Sequence, residues 1–177
     1  MVRRKSGVRG IAGILENDHT EALEKTRRLQ DILTNLRYEG RASLGKNLKQ
    51  VREALGFLRK EWTRHVDLEE ETLFPFLETH LPRLETLLHL LEAEHKDFKK
   101  NLKDLQVLLQ RIPTEKSFSN HGRIFEKIRE QGNYLVYLLR NHIRVETESV
   151  YKAVRRDLRP AEKKELKNQI HQRRNRP

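Results

Sequence analysis

The motif His-x-x-x-Glu occurs twice in this chain, as HVDLE at residues 65–69 and as HIRVE at residues 142–146. A further histidine precedes each copy at nearly the same distance, so the two halves of the chain repeat one pattern. Four imidazoles and two carboxylates are a sufficient ligand set for a pair of transition-metal ions. The candidate metal ligands are His19, His65, Glu69, His95, His142 and Glu146.

The composition favours one helical domain. The chain has 177 residues, 36% of them apolar and 36% charged, with few aromatic, glycine and proline residues; such a composition is typical of long helices. It has no cysteine, which excludes disulfides, thiolate metal sites and cysteine nucleophiles. No apolar run is long enough to span a bilayer or to form the core of a signal peptide. We therefore expect a cytoplasmic protein without membrane insertion.

The positive charge is concentrated at the two ends of the chain. The net charge is +11, of which residues 1–10 carry +4 and residues 155–177 carry +6, so the body is nearly neutral. Solvated tails are the plainest interpretation, although basic ends can also bind nucleic acid or an anionic surface. We divide the chain into a basic arm at 1–10, a helical bundle at 11–157 and a basic C-terminal helix or tail at 158–177.

Apolar residues recur at helical spacing along four long segments and a short one. The predicted helices are 11–39, 43–81, 82–111, a fourth that ends near residue 157, and a basic fifth helix at 160–172 that packs on the bundle edge. Ser43 is the expected N-cap of the second helix, and Pro75 should kink that helix near its end. The candidate N-caps of the fourth helix are Thr114, Ser117 and Ser119. Four long helices with short links predict an all-α, up-down-up-down four-helix bundle.

Helical rise places the four candidate histidines at one level of such a bundle. A helix advances about 1.5 Å per residue, so height can be counted from each turn. With the turns centred near residues 41, 82 and 116, the histidines that flank each turn differ in height by roughly 3–8 Å. The i, i+4 spacing puts each glutamate on the same helix face as its histidine. Since the motif alone is close to chance frequency in a glutamate-rich chain, the inference rests on these turn distances.

The donor set leaves the metal and one competing scheme open. Imidazole suits iron, zinc, copper or nickel, and carboxylates can bridge two hard ions, leaving positions for O2, NO, peroxide or water. A ferritin-like scheme would use the Glu-x-x-His pairs that begin at Glu16 and Glu92, but it gives His65 and His142 no role. Glu92 could still be a supplementary ligand. The remaining histidines are expected at the surface: His80, His89, His121 and His171.

At these residues the chain resembles the hemerythrin-like family in its HHE cation-binding form. The run HVDLEEETLFP at residues 65–75 is especially similar to the second helix of that family, and the resemblance covers about residues 11–155. It implies a four-helix bundle with a non-haem di-iron centre, two iron ions joined by an oxo or hydroxo bridge. Carried over to this chain, it implies His19 and His65 on one iron, His95 and His142 on the other, and Glu69 and Glu146 as bridges.

The chain departs from the oxygen-carrying members, which have a fifth histidine one turn from another on the third helix. The positions one turn from His95 are Leu91 and Lys99, and neither is expected to bind metal at neutral pH. This departure favours sensing, reactions with NO or peroxide, or iron handling over simple oxygen storage. Tyr134 and Tyr137 lie close enough along the fourth helix to hydrogen-bond near the site, although packing is the plainer role.

Two classes of function follow from the sequence. In the first, the chain is a hemerythrin-like di-iron protein that binds O2 or a related small ligand. In the second, it is a metal-free helical interaction module whose basic ends bind nucleic acid or an anionic surface. An enzymatic role stays undecided, because no general acid or base stands out beyond the candidate ligands.

Overall fold

The computed structural model describes residues 11–38, 40–112 and 122–175. The helices are α1 (Ile11–Tyr38), α2 (Gly40–Phe57), α3 (Thr63–Leu68), α4 (Phe74–His80), α5 (Glu85–Gln110), α6 (Gly122–Val145), α7 (Tyr151–Asp157) and α8 (Pro160–Arg174). A 3-10 turn precedes α5, and wide π-helical turns occur at Leu58–Trp62, Glu69–Leu73 and Glu146–Val150. Within residues 11–38, 40–112 and 122–175 no strand occurs, and no helix there is long and apolar enough to cross a membrane.

The π-helical turns join the shorter helices into rods, so that α2 to α4 form one rod and α6 with α7 another. Together with α1 and α5 this makes four long rods. α1 packs against α2 and α6, and α5 packs against the same two helices from the other side. Each rod therefore has two neighbours, as in a four-helix bundle. The all-α prediction is confirmed, and this packing is consistent with the predicted up-down-up-down order.

Three predictions about helix ends have different outcomes. α2 begins at Gly40, so the prediction of Ser43 as its N-cap was wrong. The buried side chains of Leu44 and Leu48 show that the packed face of α2 already includes its first turns. Pro75 lies in the first turn of α4, which directly follows the π-helical turn Glu69–Leu73; the kink expected at Pro75 stays a prediction. The candidate caps of the fourth helix lie outside the described residues: Thr114, Ser117 and Ser119.

Buried apolar side chains form two clusters with a polar layer between them. Trp62 and Phe98 belong to one cluster, whereas Phe74 and Tyr151 belong to the other. Histidines lie between the clusters: the ring of His19 lies 5.0 Å from that of Tyr151 and 5.7 Å from that of Trp62. A polar layer in a bundle interior is costly unless each group is paired. The partners of these groups therefore decide what the layer does.

The C-terminal helix α8 is part of the packed structure. Leu166 and Ile170 are both fully buried in the second cluster. α8 contacts α1, α3 and the π-helical turn Glu69–Leu73. The predicted packing of this helix on the bundle edge is confirmed, and the solvated-tail interpretation does not hold for the described part of the segment, because two apolar residues one turn apart dock the helix. The basic arm at residues 1–10 lies outside the described residues.

Candidate metal centre

The six candidate side chains come from all four rods and meet in the polar layer. α1 supplies one histidine, α3 and its following π-helical turn supply a histidine and a glutamate, α5 supplies one histidine, and α6 with its π-helical turn supplies the last pair. The exposed fraction of each residue lies between 0% and 4%. The six residues are His19, His65, Glu69, His95, His142 and Glu146. Sequence spacing across three turns therefore led to a real cluster in space.

The four imidazoles form two pairs. His19 Nε2 lies 3.1 Å from His65 Nε2. His95 Nε2 lies 2.9 Å from His142 Nε2. Each pair joins one histidine from each of two different rods, and all four Nε2 atoms face the interior of the cluster. These are the same two pairs that the family resemblance implied.

Each glutamate faces one histidine from each pair. Glu69 Oε1 lies 3.2 Å from His65 Nε2, while its Oε2 lies 3.7 Å from His95 Nε2. Glu146 Oε2 lies 3.1 Å from His19 Nε2 and 3.3 Å from His142 Nε2. The two carboxylates therefore span the space between the histidine pairs. Carboxylates in this position can be shared by two cations.

The outer nitrogen of every imidazole also has a polar partner. For three of them the partner is a carboxylate, which can only accept, so Nδ1 carries a proton and Nε2 is the nitrogen that faces the interior, where it can bind a metal ion that displaces any proton on it. The Nδ1 partners are Asp18 for His65 at 3.2 Å, Glu70 for His95 at 2.9 Å, Glu94 for His142 at 2.9 Å and Thr147 for His19 at 3.4 Å. This outer ring orients all four imidazoles towards one interior.

The outer partners follow the same internal repeat as the candidate ligands. Asp18 and Glu94 each precede the first histidine of their half, and Glu70 and Thr147 each follow the glutamate of their half. Thr147 breaks the symmetry, because it replaces a carboxylate by a neutral hydroxyl. The His19/His65 pair therefore has one outer carboxylate, whereas the His95/His142 pair has two.

Aromatic rings enclose the cluster. Trp62 stacks on His65, with ring centroids 4.5 Å apart. At the opposite end, Phe74 stacks on His95 at 5.8 Å and Tyr151 stacks on His19 at 5.0 Å. The apolar enclosure lowers the local dielectric and strengthens every charge interaction inside it.

Tyr151 adds a polar group that sequence reasoning missed. Its buried hydroxyl donates to Glu69 Oε1 at 2.6 Å and lies 3.0 Å from His19 Nε2. Burial and the negative charge of Glu69 raise the pKa of the Tyr151 phenol well above 10, which keeps it a neutral donor. Tyr134 and Tyr137, considered from the sequence, are 47% and 65% exposed, so neither supports the site.

In the protein without metal, the buried histidines and glutamates strongly shift one another's pKa values. Burial lowers the pKa of His65 and of His142, but nearby carboxylates outweigh it and raise both to about 10. Burial and the charge of His142 together lower the pKa of His95 to about 3. Burial would raise the pKa of Glu146, yet His142 and His19 lower it far below the usual range. Without metal, protons on His65 and His142 thus supply the positive charge that balances the buried glutamates, and bound cations would replace those protons.

Several carboxylate oxygens in the cluster have no hydrogen bond. Both oxygens of Glu146 and Oε2 of Glu69 are fully buried without a hydrogen-bond partner among the described residues. Anionic oxygens that point into a ring of imidazole nitrogens fit a cation, which would complete their coordination. Two overlapping groups of four side chains, sharing the two glutamates, can each hold a metal ion. The donor set therefore fits a two-metal site.

Comparison with known families agrees with this geometry. The hemerythrin HHE cation binding domain matches residues 10–154. The chain belongs to the hemerythrin family. No match to a curated protein was found. The matched region ends before α8, so the contacts of α8 lie outside it.

The ferritin-like ligand scheme does not fit the hemerythrin domain of this chain. Glu16 forms an ion pair with Arg155 outside the cluster. Neither Glu16 nor Glu92 belongs to the two groups of side chains that can hold a metal ion, and Glu92 is therefore not a supplementary ligand in this geometry. His65 and His142, which that scheme left without a role, lie at the centre.

The positions one turn from His95 have other roles in the hemerythrin domain. Leu91 is buried in the second apolar cluster. Lys99 Nζ lies 3.2 Å from Asp67 and 3.4 Å from Glu70. Because Glu70 accepts from His95, Lys99 supports the outer ring of the centre and contributes no donor atom to its interior.

The four other histidines stay out of the centre where they are described. His89 and His171 are exposed, as predicted. His80 is half-buried, because it stacks on Phe76 and its Nδ1 lies 2.8 Å from the carbonyl oxygen of that residue. The surface prediction was therefore incomplete for His80. His121 lies outside the described residues.

Two spaces adjoin the centre. A void of about 10 Å³, roughly the size of one water molecule, lies against His95 and His142 and is otherwise walled mainly by apolar side chains. A larger groove of about 640 Å³ runs past His65 between α1, α3 and the end of α8. The groove is the more open approach, and Asp18 and Arg174 are among its lining residues.

Proposed function

We propose that this hemerythrin domain holds a non-haem di-iron centre and binds O2 or a related small ligand such as NO or peroxide. His19 and His65 would hold one iron, His95 and His142 the other, and Glu69 and Glu146 would bridge them with an oxo or hydroxo group. When bound, an iron pair supplies reversible binding or redox reaction of such ligands. The observation that carries the proposal is that each glutamate faces one histidine of each pair.

The surrounding residues suit this function. The outer carboxylates Asp18, Glu70 and Glu94 hold three imidazoles with Nε2 inward, and such partners typically change metal affinity 10–100-fold. Trp62 and the aromatic residues of the second cluster exclude bulk water. The Tyr151 hydroxyl fixes Glu69 and keeps a hydrogen-bond donor inside the site.

We propose that the protein serves in sensing, iron handling or a stress response. Leu91 and Lys99 give the His95 side no further imidazole, so an iron held there would keep an additional position open for a ligand. The adjoining void has room for a very small molecule only. A buried site whose void beside His95 and His142 admits only a very small molecule suits detection or reaction of diatomic ligands and peroxide.

Anaerobic reconstitution with Fe(II) tests the proposal. The protein should retain about two irons per chain, and exposure to air should produce near-ultraviolet and visible charge-transfer bands. The double variant His65→Ala, His142→Ala should lose both iron and bands, whereas the exposed His171→Ala should retain them. Well under one iron per chain in the parent protein would reject the di-iron centre. It would leave a metal-free interaction module as the better description.

Stopped-flow mixing of the diferrous protein with O2, NO and peroxide identifies the ligand. Reversible spectral changes with O2 or NO would indicate binding for sensing. Repeated turnover of peroxide would indicate an enzyme. Absence of any reaction, with both irons in place, would favour iron handling and reject small-ligand binding.

A further inference from the structure

α8 lies outside the matched hemerythrin region and yet ends beside the metal centre. The family match stops at residue 154, and α8 occupies Pro160–Arg174. Leu166 and Ile170 anchor it on the second apolar cluster. This docking aims the C-terminal end of the helix at α1 and α3, which supply His19 and His65.

The last residues of α8 form polar contacts around the His65 side of the centre. The guanidinium of Arg174 pairs with Asp18 Oδ2, the same oxygen that accepts from His65 Nδ1 at 3.2 Å. Arg64, next to His65 in the chain, donates to the backbone carbonyl of Arg174 at 2.9 Å. Arg174 therefore holds the Asp18 carboxylate, which orients the proposed metal ligand His65. Arg64 in turn holds the backbone of Arg174.

A second pair fixes the same end of the helix. Arg173 pairs with Glu71, which lies in the π-helical turn that begins with Glu69. Adjacent residues of α8 therefore form ion pairs on both sides of the His65–Glu69 segment, Arg174 with Asp18 and Arg173 with Glu71. The side chains of Arg174 and Asp18 are 30% and 28% exposed, so this grip is less screened by solvent than a fully exposed ion pair.

In the second half of the internal repeat, the carboxylate that corresponds to Asp18 has no arginine partner among the described residues. Glu94 stands to His142 as Asp18 stands to His65, since both accept from Nδ1. In the described part of the chain Glu94 forms an ion pair with His142 and with no arginine or lysine. The two histidine pairs therefore have equivalent donors, but the cations behind their outer carboxylates differ: Arg174 of α8 pairs with Asp18, and Lys99 of α5 pairs with Glu70.

We propose that Arg174 is a positioning residue and that α8 is a latch which slows metal exchange at the His19/His65 side alone. The inference rests on the proposed two-metal function. With Arg174 in place, Asp18 is held against His65, beside the groove of about 640 Å³ that both residues line. Without Arg174, Asp18 is free to turn into the groove, and His65 loses the partner that fixes its ring. Metal then leaves that side faster, while the His95/His142 side is unaffected.

Chelator-driven release of Fe(II) from the diferrous protein tests the latch. In Arg174→Gln we expect about half of the iron to leave about 10-fold faster than in the parent protein, within the range known for outer partners of metal ligands. The other half should leave at the parental rate. Arg174→Lys should restore part of the delay, since it keeps the charge. Lys164→Gln, which removes the same charge from an exposed position of α8, should match the parent protein.

The outcomes separate the latch from simpler explanations. Equal acceleration of both halves of the iron would show general loosening of the fold and would overturn the proposal, as would unchanged release in Arg174→Gln. Failure of the parent protein to bind two irons would instead reject the proposed function.

Imidazole NMR of the metal-free protein supplies a readout that does not need iron. The Nδ1 proton of His65 should exchange with solvent faster in Arg174→Gln, while that of His142 should not change. Equal protection of the His65 proton in the variant and the parent protein would contradict the positioning role even if metal release were altered.

Discussion

Replacing Tyr151 by Phe removes one oxygen atom from the metal centre and little else. The ring of Tyr151 stacks on His19, and a phenylalanine ring can keep that contact. The lost hydroxyl is the donor to Glu69 Oε1 at 2.6 Å. Glu69 is 0% exposed, so water cannot replace that donor without opening the core.

The size of the effect follows from this burial. A hydrogen bond to a charged group contributes about 1.5–3 kcal/mol, and Glu69 Oε1 would keep His65 Nε2 at 3.2 Å but lose its shorter bond to Tyr151. We therefore expect the metal-free protein to lose ~1.5–3 kcal/mol of unfolding free energy. For a chain of this length each kcal/mol lowers Tm by ~2–4 °C, so Tm should fall by ~3–12 °C.

Urea and thermal unfolding, followed by circular dichroism, measure both quantities. Tyr134→Phe is the matched control, because it removes the same atom from an exposed tyrosine on the same rod and should change stability by less than ~0.5 kcal/mol. If Tyr151→Phe and Tyr134→Phe were equally stable, the buried hydrogen bond to Glu69 would not stabilise the site, and our account of the second cluster would be wrong.

Three further changes have defined outcomes. Leu166→Ala should destabilise the protein by ~2–5 kcal/mol, because it leaves a cavity under a fully buried side chain of α8; a loss below ~0.5 kcal/mol in urea unfolding would contradict the docking of that helix. Iron affinity should rise with pH, because the pKa values of His65 and His142 are raised to about 10 without metal and bound metal must displace their protons. Calorimetry in buffers of different ionisation enthalpy should detect protons released on iron binding. Iron binding without proton release would refute this prediction. Glu146→Gln keeps the shape but removes the charge that both histidine pairs face, so metal analysis should find at most one iron per chain, and full loading would show that this carboxylate is not shared.

The sequence was sufficient for the main parts of the centre, because helix geometry is regular over long distances. Rise per residue and the positions of the turns placed four histidines at one level, and the i, i+4 spacing placed Glu69 and Glu146 beside two of them. The start of α2 was less predictable. Packing of Leu44 and Leu48 competes there with the local capping preference of Ser43, and packing decides the result.

Tyr151 could not be placed from regular helix geometry. Five residues along an α-helix turn a side chain about 140° away from the starting residue, which would direct Tyr151 away from Glu146. The π-helical turn at Glu146–Val150 adds a residue to that turn and brings Tyr151 back over the site. The internal repeat carried the usable signal, because Tyr151 occupies the position that Phe74 has in the first half.

The contacts of α8 were beyond sequence reasoning for a different reason. Apolar residues at Leu166 and Ile170 predicted packing on the bundle edge, but not which face would receive them. The pairing of Arg174 with Asp18 joins residues from the two ends of the chain, and no local pattern encodes it. Such pairs follow only from the complete packing of the helices.

Anomalous diffraction from crystals of the iron-loaded protein at the iron absorption edge is the most direct test of the central claim. We predict two peaks per chain, one between the Nε2 atoms of His19 and His65 and the other between those of His95 and His142. Both peaks should lie within bonding distance of the Glu69 and Glu146 carboxylates. A single peak, or peaks away from these six side chains, would contradict the account.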